Sequence, residues 1–196
     1  MKKKISKRPF HVAFFGDGTA KKKDSFFVDA YDTAQLLAKN KCTILNGGGP
    51  GIMLASTLGA TSVHGRVELV VIDKENQPLK HYEGQSEENV LAANRTFTLR
   101  TYEGRLNKLI DLAHAYVIFY GGTGTLAEMS FVWSEAKFAH PHQKPIIFFG
   151  KKWRKVIQTI NSQLKLEKIE TKLCYFVDKP EQVLEILKTY SRFYSK

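Results

Sequence analysis

At 196 residues, 43% of them hydrophobic, the chain is long enough to fill one core, and a single domain spanning 1–196 is expected. Thirty Lys and Arg against 19 Asp and Glu leave a formal charge of +11, which suits an anionic partner: nucleic acid, a membrane surface or a phosphorylated metabolite. Much of the excess lies in short runs, Lys2-Lys3-Lys4 with Lys7-Arg8 and then Lys21-Lys22-Lys23, which read first as solvated faces, with residues 1–9 a basic flexible tail.

In chain order, the apolar run His11–Phe15 reads as a strand that stops at Gly16-Asp17-Gly18, where glycine permits a sharp turn. Phe26, Phe27, Ala30, Ala34, Leu37 and Ala38 recur at helical spacing before Asn40. Cys42–Leu45 predicts a second strand, and Asn46-Gly47-Gly48-Gly49-Pro50-Gly51 a turn into a helix from Ile52. Val67–Ile72 is a third strand, and the polar stretch from Asp73 to about Asn94 reads as a long loop with at most one short element.

A helix over 102–113 buries Leu106, Leu109, Ile110 and Ala113, and Tyr116–Phe119 follows as a fully apolar fourth strand. A second glycine turn, Gly121-Gly122-Thr123-Gly124-Thr125, leads into a helix reaching about Phe138. Pro145–Phe149, Trp153–Leu164, Cys174–Val177 and Pro180–Tyr190 complete the alternation as strand, helix, strand and helix. Continuous apolar strands separated by amphipathic helices predict an α/β fold, a doubly wound, Rossmann-like parallel sheet flanked by helices.

The two cysteines, Cys42 and Cys174, are far apart and read as core thiols of a reduced compartment. No apolar run has signal-peptide length or approaches the roughly 20 residues needed to cross a bilayer, so a cytoplasmic protein without membrane contact is expected. His140-Pro141-His142 has no carboxylate or cysteine at ligand spacing, and neither a metal nor another cofactor is expected.

In doubly wound sheets ligands bind beyond the carboxyl ends of the strands, and both glycine clusters stand there. Glycine lets the backbone approach a phosphate, and the free N–H groups opening the next helix supply donors and a positive dipole end. Gly47, Gly48, Gly49, Gly121, Gly122, Thr123, Gly124 and Thr125 are therefore candidate phosphate-binding residues. Gly122–Ala127 formally fits the dinucleotide fingerprint, but the next strand ends Phe148-Phe149-Gly150 without the acid that would hold a ribose. No Lys-Ser or Lys-Thr pair follows either cluster at P-loop spacing. Glu128 either points back to the glycine turn or closes a capping box with Thr125, and Arg105 is either a surface residue or a site residue; spacing leaves both open.

Asn46–Met53, Arg105, Ala113-His114-Ala115 and Gly121–Glu128 together resemble the LOG (Lonely Guy) family, whose motifs are G-G-G-x-x-G-x-M and P-G-G-x-G-T-x-x-E with an arginine between them. The likeness extends to Gly16-Asp17-Gly18, Lys144-Pro145-Ile146 and Asp178–Glu181. Members are phosphoribohydrolases that release the base from nucleoside 5′-monophosphates, and many carried the label lysine decarboxylase. The resemblance implies Glu128 and Arg105 as catalytic residues, the Gly121–Thr125 turn, the Gly47–Gly49 turn and Gly16 as nucleotide-binding, a nucleoside monophosphate as partner, and a homodimer with the helix of Phe131 and Trp133, which suit either core packing or a subunit contact, as candidate interface. This chain has Arg105-Leu106 where the family usually has Arg-Lys, which removes one cation, and Tyr120 where it has proline. A non-catalytic nucleotide sensor or nucleic-acid-binding protein on the same fold is the second class that the basic charge admits.

Overall fold

Seven runs of branched and aromatic residues pair side by side into one sheet. The computed structural model describes residues 9–73, 75, 84–138 and 144–191. The expected tail, apart from Pro9, residues 74 and 76–83 of the stretch after Asp73, and His140-Pro141-His142 lie outside the described residues.

The elements are β1 (Phe10–Phe15), α1 (Ser25–Lys39), β2 (Cys42–Asn46), α2 (Ile52–Thr61), β3 (Val67–Ile72), α3 (Glu87–Ala92), β4 (Arg95–Leu99), α4 (Tyr102–Leu112), β5 (Ala115–Ile118), α5 (Thr123–Phe138), β6 (Ile146–Phe149), α6 (Lys151–Gln163), α7 (Lys168–Lys172), β7 (Cys174–Val177) and α8 (Pro180–Ser191). Neighbouring strands run parallel in the order β4-β3-β2-β1-β5-β6-β7. Alternate side chains of each strand face opposite layers. Val12 and Phe14 pack with Phe27, Ala34 and Leu37 of α1, Ile52 and Ala55 of α2 and Val183 of α8. Ala13 and Phe15 pack with Leu106 and Leu109 of α4, Val132 and Trp133 of α5 and Trp153 of α6. Each such fully buried Leu, Ile or Phe contributes about 1.5–3 kcal/mol.

The expected fold class holds, with three additions. β4 is an edge strand that the polar run Arg95-Thr96-Phe97-Thr98 conceals, because only one of its sides is paired and much of it is exposed. It makes the strand expected as fourth the fifth, β5. Two short helices are the other additions: α3, capped by Ser86, whose side chain accepts from Asn89 N, is the one short element that the stretch after Asp73 allowed, and α7 was not expected. Phe131 is half-buried, and Trp133 is buried with its indole N–H donating to Glu170 O at 2.8 Å, so these aromatics face the core. No described helix is long and apolar enough to cross a membrane.

Candidate functional site

The chain leaves β1 towards β2 on one side of the sheet and returns to place β5 on the other, so the order reverses between β1 and β5. Such a switch point leaves a crevice at the carboxyl edge. The turns after β1, β2 and β5 meet there.

The turn after β5 is opened by its glycines. A Cβ on Gly121 would fall 2.1 Å from Thr125 Oγ1 and 3.0 Å from Asp17 N, so only glycine allows the β1 turn to pass so close. At Gly122 and Gly124 the Cβ position is open space, and Thr123 beside them is exposed. The first turn of α5 therefore presents its backbone N–H groups outward, free of intrahelical partners. Gly16 packs under Ile52, and the main chain of Asp17 ties the turns together: its N–H donates to Tyr120 O and its carbonyl accepts from Ile52 N, both at 2.9 Å. The Asp17 carboxylate folds back onto Thr19, accepting from its backbone N–H and hydroxyl.

The turn after β2 is held from below by a buried amide network. Asn46 Oδ1 accepts from Gly48 N at 2.9 Å, while Asn46 Nδ2 donates to Thr57 Oγ1 at 2.9 Å. Asn89, fully buried on α3, donates to Gly49 O at 2.8 Å and accepts from Thr57 Oγ1 at 2.6 Å. Ser86 N takes Gly48 O at 2.9 Å. These bonds turn the carbonyls of Gly48 and Gly49 towards α3. Gly48 and Gly51 adopt left-handed φ values of 75° and 63°, where a side chain would be strained.

Arg105 lies in the first turns of α4, which starts beside the end of β4 and is capped by Thr101. It is 5% exposed, which removes the surface alternative. Its Nε donates to Val70 O at 3.1 Å, Nη2 lies 3.9 Å from Met53 Sδ, and Nη1 lies 3.6 Å from Glu128 Oε1. The guanidinium rests against Gly47, with the Tyr102 ring 5.8 Å away. Glu128 is 8% exposed. A capping box needs its hydroxyl residue just outside the helix, whereas α5 begins at Thr123 and Thr125 is already inside it. Glu128 is instead the acidic half of a desolvated ion pair that joins α4 to α5.

All the residues singled out from the sequence thus gather at one edge: Gly16, Gly47–Gly49, Gly121–Thr125, Arg105 and Glu128. Leu106 is buried in the apolar layer beneath α4, so this position faces the core. The sequence reading missed the Asp17 main-chain bridge, the approach of Met53 to Arg105 and the Asn46–Asn89 network. Asn46 adjoins the glycine run and carried a signal; Asn89, in a polar stretch, carried none. Cys42 and Cys174 are free and half-buried, and burial pushes their thiols up to about 11 and about 12, so neither is a ready nucleophile. A separate groove of about 390 Å³ lies along α1 and α2, lined by Lys22, Phe27, Val28, Tyr31 and Leu58, away from these residues.

Fold and site define a doubly wound α/β protein with a glycine-lined crevice and a buried arginine–glutamate pair. A family model described as "possible lysine decarboxylase" matches residues 54–187. The chain belongs to that family, the LOG-type family that its two glycine motifs resemble. No curated protein matches the chain significantly. Among solved structures it is similar to the molybdenum cofactor binding protein of Rippkaea orientalis, with 20% identity, 94% of this chain and 98% of that one covered, and a TM-score of 0.69. The molybdenum cofactor carrier protein of Chlamydomonas reinhardtii is similar at 17% identity, 93% and 98% coverage and a TM-score of 0.65. DNA processing protein A of Helicobacter pylori, a single-stranded DNA binder, is similar at 14% identity, 93% and 82% coverage and a TM-score of 0.60. At these identities the likeness is one of fold.

Proposed function

We propose that the protein hydrolyses the N-glycosidic bond of a nucleoside 5′-monophosphate, giving free base and ribose 5-phosphate. The observation that carries this reading is the Glu128 carboxylate, held 3.6 Å from Arg105 one helical turn past an open, glycine-lined helix start. The 5′-phosphate docks on the N–H groups of the Gly121–Thr125 turn and the dipole end of α5. Gly16 and the Gly47–Gly49 turn form the facing wall. Water attacks C1′ as the C1′–N bond breaks, its electron pair leaves with the base, and a proton from the water ends on the base. Positive charge spreads over the ribose on the way. Glu128 holds the ribose hydroxyls and stabilises that cation, and Arg105 keeps Glu128 oriented. Binding energy from the remote phosphate positions the reacting bond.

The test is a panel of purine and pyrimidine monophosphates with chromatography of the released base. Base release by the wild type and its loss in Glu128→Ala support the reading; no release from any member of the panel defeats it. Similarity to molybdenum cofactor binding and carrier proteins favours one other reading, a carrier that holds an anionic ligand without cleaving it. Tight monophosphate binding without turnover would select that reading, and steeply salt-dependent retention on single-stranded DNA would select a nucleic-acid binder. The homodimer implied by the family resemblance is tested by one light-scattering measurement.

A further inference from the structure

The charges around the proposed phosphate position do not balance. Glu128 neutralises Arg105, so the buried pair offers a phosphate no net attraction. The start of α5 supplies about half a unit of positive charge against the roughly −1.5 to −2 of a phosphate monoester. Leu106, where the family has lysine, is turned into the core. A cation from another element is needed, and one stands beside the turn.

Tyr120, the residue before Gly121, is 46% exposed. Its carbonyl is fixed by Asp17 N, and its ring meets Phe26 edge-on with centroids 6.0 Å apart. Phe26 belongs to α1 on one face of the sheet and Lys152 to the first turn of α6 on the other, so the Tyr120 ring lies across the carboxyl edge between the layers. The Lys152 ammonium sits 4.5 Å from the centre of that ring. Among the described residues Lys152 pairs with no carboxylate. An aromatic face attracts a cation without neutralising it, so the ammonium is held in place while keeping its charge for an anion.

We propose that Lys152, seated on Tyr120, is a phosphate-binding residue of this crevice and that the pair makes the protein select phosphorylated nucleosides over nucleosides. This rests on the reading of the crevice as a phosphate-ester site, hydrolytic or not. Lys152 supplies the missing counter-charge, and Tyr120, in place of the family's proline, positions it.

The experiment compares wild type, Lys152→Ala, Lys152→Arg and Tyr120→Leu with Lys165→Ala, an exposed lysine elsewhere, by calorimetric titration of ribose 5-phosphate, AMP and adenosine. Lys152→Ala is expected to weaken ribose 5-phosphate and AMP about tenfold, the size of one charge-assisted hydrogen bond, and to leave adenosine unchanged. Lys152→Arg restores most of the affinity, and Tyr120→Leu lowers it in the same direction. If the enzyme turns over AMP, Lys152→Ala raises KM and spares kcat. Equal affinities in Lys152→Ala and Lys165→Ala overturn the assignment, as does an equal loss for adenosine. Failure of the hydrolytic reading is read separately: a wild type that binds AMP without releasing adenine still tests Lys152. A wild type that binds neither phosphate ester removes the crevice reading and this proposal with it.

Discussion

The Cα of Gly47 lies against the guanidinium of Arg105: a Cβ built on Gly47 falls 1.5 Å from Nη2 and 2.6 Å from Cζ. The glycine turn after β2 thus sets the position of the arginine, and Arg105 in turn sets that of Glu128. Gly47→Ala is expected to push the guanidinium off Glu128 while the sheet folds as before. Turnover of the monophosphate found in the panel should fall about 100-fold, the usual cost of an ångström-scale displacement in a site, with an unchanged far-ultraviolet circular dichroism spectrum. Full activity in this variant would show that the contact has no part in the chemistry.

Removing one partner of the buried pair leaves the other charge uncompensated. Arg105→Ala and Glu128→Ala are each expected to lower stability by about 3 kcal/mol, and the double variant to lower it by clearly less than the sum. Denaturant titration of the four proteins measures the coupling. Strict additivity would mean that the 3.6 Å ion pair contributes nothing to folding.

Asn89 ties the glycine turn to α2, its Nδ2 donating to Gly49 O and its Oδ1 accepting from Thr57 Oγ1. Asn89→Ala strands Gly49 O and the Thr57 hydroxyl in a buried place, at about 1–3 kcal/mol. Thermal denaturation should report the loss. Activity should fall further than the unfolded fraction explains, because the same bonds hold the turn against Arg105.

A pH effect arises at the opposite, amino-terminal edge of the sheet. His114 Nδ1 accepts from His11 N at 3.0 Å, and its ring stacks on His11 and Phe10. Burial, then the charges of His11 and Lys144, lower its pKa from 6.5 to about 4. The unfolded chain therefore takes up a proton at higher pH than the folded one, and stability present above pH 6.5 drains away as pH falls towards 4. His114→Gln should flatten stability against pH across that window. A slope as steep as wild type would assign the acid sensitivity to other groups.

The sequence made most of the sheet legible because β1, β2, β3, β5 and β6 are buried on both faces and read as apolar runs, interrupted only at His11, Thr43, Asn46 and Glu68. β4 failed that test for a physical reason: at the edge, Arg95, Thr96 and Thr98 are exposed and interrupt the pattern. Arg95 also lies over Phe97, 4.2 Å from the ring centre, so the aromatic that could have marked a strand is screened by a charge. The site was legible where its residues follow strands directly, as Gly47 and Gly121 do. Arg105 and Glu128 were ambiguous in spacing because their meaning depends on tertiary contact: the burial of the one rests on a distant glycine and a β3 carbonyl, and the role of the other on where α5 begins. Asn89 was invisible, since a polar residue in a polar stretch carries no periodic signal.

The strand order places β4-β3-β2-β1 on one side of the switch point and β5-β6-β7 on the other, and the Arg105–Glu128 pair spans it. The crevice is thus a seam between two consecutive portions of the chain. A small molecule lodged in it touches both and acts as a clasp, raising the melting temperature in proportion to the logarithm of its concentration. Occupancy can then be followed by heat alone, and candidate ligands ranked before any reaction is observed.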